Sequence, residues 1–160
     1  MRRLLAAIVT SVLLPTAVAW AAAAPASAAS RLPRAVAKVS IAISFPLKTV
    51  SGYHKPVHRT LTRASTVAEI VSATDALPVA KLRGMCPMIM RIGPELTVVF
   101  RNASGTQVAT AEVAVTQGSK GDSGSSACFP IRFTSSGQTS DLLGNGWVRM
   151  MGRLTRTAIS

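Results

Sequence analysis

Hydrophobic and polar positions change rhythm along the chain, and each change marks an element. Val39-Ser40-Ile41-Ala42-Ile43-Ser44-Phe45 alternates large apolar with small or polar residues, the period of a half-buried strand, and Pro46 ends it. Lys48 to Arg63 carries Gly52, Pro56, both histidines and four basic residues, and reads as an exposed connection. Val67, Ile70, Val71 and Leu77 then recur at helical intervals behind Ser65 and Thr66 as N-cap candidates, with Pro78 as the stop. That predicts a helix of about three turns docked by one face.

The second half alternates again. Glu95–Arg101 reads as a strand, Asn102-Ala103-Ser104-Gly105 as a turn, and Gln107–Thr116 as the returning strand with Val108, Val113 and Val115 inward. Gln117 to Ser126 contains no large apolar side chain and predicts a mobile loop. Cys128–Thr134 supplies a further strand, with Phe129, Ile131 and Phe133 on one face and Cys128, Pro130, Arg132 and Thr134 on the other. Leu143, Trp147, Met150, Met151 and Leu154 give a short amphipathic helix, firm over 147–156 because Gly144-Asn145-Gly146 interrupts it earlier.

Composition changes the picture at the N-terminus. Of the first 28 residues 20 are apolar, beginning with Met1-Arg2-Arg3 and running uncharged from Leu4 to Ala24. Ala26-Ser27-Ala28 has the small-x-small form that a signal peptidase reads, so 1–28 is expected to be a signal peptide, removed after Ala28. The paired arginines fit a twin-arginine export route only weakly. The expected organisation is then a flexible basic arm over 29–38 and one domain over 39–160, secreted, with no stable membrane insertion after cleavage. Residues 29–160 keep sixteen basic against six acidic residues, a net charge of +10. They are too few for a TIM barrel or a two-barrel protease.

Cys86 and Cys128 are the only thiols, 42 positions apart. In an oxidising compartment a single intramolecular pairing is expected, worth about 4 kcal/mol in the chain-entropy picture. Zinc and nucleophile readings compete with it, but there is no C-x-x-C and only two histidines could complete a ligand set. Together these readings predict an α+β fold: a helix packed on a small antiparallel sheet of about four strands, a short C-terminal helix and one disulfide.

The succession Ile70-Val71, Ala76-Leu77-Pro78, Gly84, Cys86-Pro87, Leu96-Thr97-Val98-Val99-Phe100, a valine strand and Cys128 resembles small secreted two-cysteine proteins of high-GC Gram-positive bacteria, the actinobacteria. The resemblance covers roughly residues 64–134. It implies a helix beside an antiparallel sheet with the two cysteines bridged, and it brings no catalytic residues. Ala127 stands where such proteins often have Gly before the second Cys.

Chemistry-bearing motifs are few. Gly121-Asp122-Ser123-Gly124 resembles the nucleophile segment of chymotrypsin-like proteases, and His54, Asp75 and Ser123 occur in matching order. Ser125-Ser126 follow it instead of Gly-Pro, and His54 lacks the Ala-His-Cys surround, so a polar loop accounts for the motif better. His54 and His58 share a spacing of four, but Pro56 lies between them and Lys55 and Arg59 repel a cation. Asn102-Ala103-Ser104 fits a glycosylation sequon and reads more simply as a turn. No catalytic residue, cofactor or metal is expected, and the protein is read as a non-enzyme.

The basic surplus is the one lead to a partner, beside the plainer reading of an arginine-rich composition on an ordinary solvated surface. Lys48, Lys55, Arg59 and Arg63 cluster in one connection, while Arg149, Arg153 and Arg156 form a stripe on the final helix. Such surfaces attract polyanions: wall polymers, anionic lipid headgroups or nucleic acid. Specific nucleic-acid recognition is not expected, because exposed aromatics for stacking are lacking. The alternative is a small secreted hydrolase inhibitor, recognising an extracellular protein through a loop between Arg83 and Pro94 beside Cys86.

Overall fold

The computed structural model describes residues 30–33, 35–45, 55–81, 93–117 and 123–157. The signal segment 1–28 lies outside them. Eight strands and two helices follow in chain order: β1 Lys38–Ser44, β2 Val57–Leu61, α1 Ala64–Asp75, β3 Glu95–Arg101, β4 Gln107–Ala114, β5 Thr116–Gln117, β6 Ser123–Gly124, β7 Ile131–Ser135, β8 Gln138–Leu142 and α2 Asn145–Thr155. Six of the strands make one antiparallel sheet in the order β2-β1-β3-β4-β7-β8, and β5 pairs with β6 separately.

This corrects the expected architecture. The molecule is mainly a six-stranded sheet with two short helices, where a helix on about four strands was expected. The two unexpected strands, β2 and β8, are the sheet's two edges. An edge strand is held by backbone pairing on one side and needs little apolar alternation, so His58-Arg59-Thr60 and Gln138-Thr139-Ser140 hid them. The disulfide in that expectation is not a described feature either. Cys86 lies outside the described residues, and they contain no cysteine pair; Cys128 is not a free thiol.

Inner strands obey the alternation closely. Val39, Ile41 and Ile43 of β1, Leu96, Val98 and Phe100 of β3, Ala109, Ala111 and Val113 of β4, and Ile131 and Phe133 of β7 are buried on one face. Both helices add to this same core, α1 through Val67 and Ile70 and α2 through Trp147, Val148 and Met151. Val108 is half-buried and out of phase with Val113, so the inward residues of β4 are its alanines rather than Val108. A register shift between Phe100 and Arg101 precedes this point. The other face carries shorter polar side chains. In register across the sheet it reads Thr60, Ser40, Val99, Thr110, Thr134 and Thr139.

Local chemistry explains the element ends. β7 and β8 meet at Ser136 (φ 50°) and Gly137 (φ 75°), the two positive-φ residues that a type I′ hairpin turn requires. β7 starts at Ile131 and not at Cys128 because Ser126 and Phe129 close a tight bridge, each N–H donating to the other's carbonyl at 3.1 and 3.0 Å. Residues 118–122 of the expected mobile loop lie outside the described residues, while its flanks pair as β5 and β6. Ser125, just after them, is buried and accepts the Gly144 N–H at 2.7 Å. A Cβ at Gly144 would press into Leu77 Cδ2 and lie 3.2 Å from Trp147 Cβ, so this start of α2 has no room for a side chain.

The helices also depart from the caps expected of them. α1 begins at Ala64 with Arg63 in the cap position and no side-chain cap bond, so Ser65 and Thr66 lie inside the first turn. α2 begins two residues before the firm prediction and takes Gly146 within it. Trp147 Nε1 donates to Thr74 Oγ1 at 2.9 Å, and Thr74 donates on to Ile70 O at 2.7 Å, joining the two helices through a buried polar link. No helix among the described residues is long and apolar enough to cross a membrane.

Candidate functional site

Two positions far apart in sequence meet at one corner of the fold. Arg59 stands opposite Ile41 in the β1–β2 register and therefore points toward the helix-covered side of the sheet edge. Its guanidinium donates to the carbonyl of Leu154, in the last turn of α2. Helix C-terminal carbonyls lack partners within the helix and carry partial negative charge, so a guanidinium there is favourable.

Around that corner the basic residues lie at the surface. Arg149, Arg153 and Arg156 are exposed on α2 and its cap, while Trp147, Val148, Met151, Gly152 and Thr155 face the core. Met150 and Leu154, expected among the inward residues, are only partly buried. Arg156 adopts the left-handed conformation (φ 56°), which lets Thr157 N–H return to Gly152 O at 3.0 Å. Lys55 and Arg63, both exposed, flank the two ends of β2. Of the seven basic candidates, Lys48 lies outside the described residues. The fold brings Arg59 to the stripe on α2, and it sets Lys55 and Arg63 along the same edge segment.

Other arginines are committed elsewhere. Arg101 Nη1 donates to Gly105 O at 3.0 Å within its own hairpin. Arg132 sits in register between Glu112 and Asp141, on the face away from the helices. With Glu95, Thr97, Phe129 and Pro130, Glu112 and Arg132 line a cavity of about 190 Å³ on that face.

Sequence reasoning missed the second arginine-capped helix end. Arg31 Nη1 donates to Asp75 O at 3.1 Å and also to Leu77 O, at the C-terminus of α1. The Asp75 carboxylate in turn accepts Ser30 Oγ at 2.6 Å, Arg31 N at 2.9 Å and Leu32 N at 3.1 Å. Ser30 to Leu32, read as part of a flexible arm, are thus tied to the fold, and Leu32 is 2% exposed. The one signal for this was Leu32 itself, an isolated large apolar residue in a basic segment.

Of the protease-like candidates His54, Asp75 and Ser123, the described residues fix the partners of Asp75 alone. Asp75 is occupied by residues 30–32, and His54 and Asp122 lie outside the described residues. His58 is exposed on β2, and its expected companion at four residues' spacing, His54, is likewise outside. Asn102 Oδ1 accepts Ser104 Oγ at 2.6 Å and Thr106 N at 2.9 Å, which makes the sequon a well-tied turn. Most of the inhibitor loop expected between Arg83 and Pro94 falls outside the described residues; Gly93 and Pro94 lead into β3. Against known proteins, no family, no curated protein and no solved structure matches the chain.

Proposed function

We propose that this is a secreted, non-enzymatic protein that holds anionic cell-envelope polymers against the corner formed by β2 and the C-terminal half of α2. One observation carries the reading: the Arg59–Leu154 hydrogen bond draws the basic edge segment onto the helix that bears Arg149, Arg153 and Arg156. Guanidinium groups suit phosphate and carboxylate repeats because their forked donors bind such groups in pairs. Among the described aromatic residues Phe100, Phe133 and Trp147 are buried and Phe45 and Phe129 half-buried, which leaves nucleic-acid bases little to stack on there. An exposed cationic stripe attracts through screened charge, so the interaction is governed by ionic strength.

The test is retention of the exported protein on purified cell-wall polymer at low and high salt. Retention should be strong at low salt and should drop roughly tenfold or more when the screening length shrinks to about 3 Å at 1 M salt. The variant R153Q/R156Q should elute early while staying folded. No retention, or retention indifferent to salt, overturns the reading.

A further inference from the structure

The sheet has a notch where two of its ladders end at different heights. β3 and β4 stay paired as far as Glu95 opposite Ala114, whereas β4 and β7 pair only as far as Glu112 opposite Arg132. Pro130 has no N–H to give to a ladder, and the chain before it bends into the Ser126–Phe129 bridge. There the Phe129 N–H donates to Ser126 O at 3.0 Å, which fixes the bend. The result is the cavity of about 190 Å³ on the uncovered face, with the small Thr97 and Ala114 as floor and Phe129 and Pro130 as wall. Glu95, Glu112 and Arg132 stand exposed at its rim.

Charge is unevenly placed around this notch. Of the six acids in the chain, Glu95, Glu112 and Asp141 all lie on this face, with Arg132 in register between the last two. Exposed cross-strand pairing accounts for Arg132 and Asp141. It leaves Glu95, whose neighbours in register are Ser44 and Ala114, neither of them charged. Diagonal neighbours on paired strands lie about 7–8 Å apart, so one small cation can meet both Glu95 and Glu112. Arg132 is directly opposite Glu112, and both signs of charge therefore face one small space. That space lies below the roughly 300–1,000 Å³ of pockets that take drug-sized ligands, so its occupant is small.

We propose that this notch binds a free α-amino acid with an aliphatic side chain. The ammonium lies between Glu95 and Glu112, and the carboxylate takes the forked donors of Arg132. The side chain rests against Phe129 and Pro130. The site lies apart from the basic corner of β2 and α2 and does not depend on the polymer-binding reading.

The test is equilibrium dialysis of the purified protein against L-leucine and two analogues with one charged end each. Isopentylamine lacks the carboxylate, and 4-methylpentanoate lacks the ammonium. Leucine should bind saturably, and each analogue roughly tenfold more weakly, as expected when one charge-assisted contact is lost. Arg132→Gln should weaken leucine but not isopentylamine, and Glu112→Gln should weaken leucine but not 4-methylpentanoate. Both positions are exposed, so a melting transition should show each variant folded. Ala114→Leu fills the floor and should abolish binding of all three compounds. No saturable leucine binding, an amine held as tightly as leucine, or leucine affinity unchanged in Arg132→Gln overturns the proposal.

Discussion

The two helices end in the same chemistry with opposite electrical results. At the end of α1, Arg31 covers the terminal carbonyls, and Asp75 supplies a carboxylate beside it that gathers the N-terminal segment. At the end of α2, Arg59 covers the Leu154 carbonyl, and the residues around it are Arg153 and Arg156 with no acid in the last turn. The first end is balanced and inward-looking, a tie between two parts of the fold. The second presents Arg153 and Arg156 as exposed side chains. An arginine count therefore does not locate a binding surface; what each guanidinium meets does.

The comparison can be broken most directly where the two helices are joined. Trp147→Ala removes a buried ring and the Nε1–Thr74 hydrogen bond, and should lower stability by about 3–5 kcal/mol in a denaturant titration. A loss below about 1 kcal/mol would mean that the helices do not depend on one another. Asp75→Ala and Arg59→Ala, measured side by side, should be unequal. The first leaves three donors without their acceptor and should cost about 1–3 kcal/mol, whereas the second, at an exposed helix end, should cost only a few tenths to about 1 kcal/mol. Equal losses would erase the distinction between a structural and an outward-facing end. Arg156→Gly gives the finest test, since glycine adopts the left-handed cap without strain. It should raise the melting temperature slightly, by about 1 kcal/mol of added stability, while weakening retention on an anionic polymer. If stability and retention move in the same direction, charge and cap geometry are not separable at that corner.

Much of this fold was legible because burial writes a period into sequence. β3 was expected at its observed bounds, and β1, β4 and β7 were found with shifted ends, because each is flanked by strands and covered on one face. The edges were illegible for the converse reason. β2 pairs only with β1, and β8 pairs mainly with β7, touching Val79 by an isolated bridge, so polar residues serve there as well as apolar ones. The basic stripe on α2 was visible as a spacing. Its meeting with Arg59 was not, since a hydrogen bond between residues 59 and 154 has no local signature. Asp75 was visible only as a misleading candidate for catalysis, because a lone acid in sequence says nothing about what it accepts.

The position of β1 has a kinetic consequence. The first strand among the described residues occupies the interior of the sheet, between β2 and β3, and seven residues of β3 pair with it from Glu95 to Arg101. A chain emerging from its N-terminus onward cannot complete that pairing until β3 has followed. Closing contacts over such distances is slow compared with forming a hairpin or a helix. The topology therefore makes the β1–β3 pairing one of the later contacts to form.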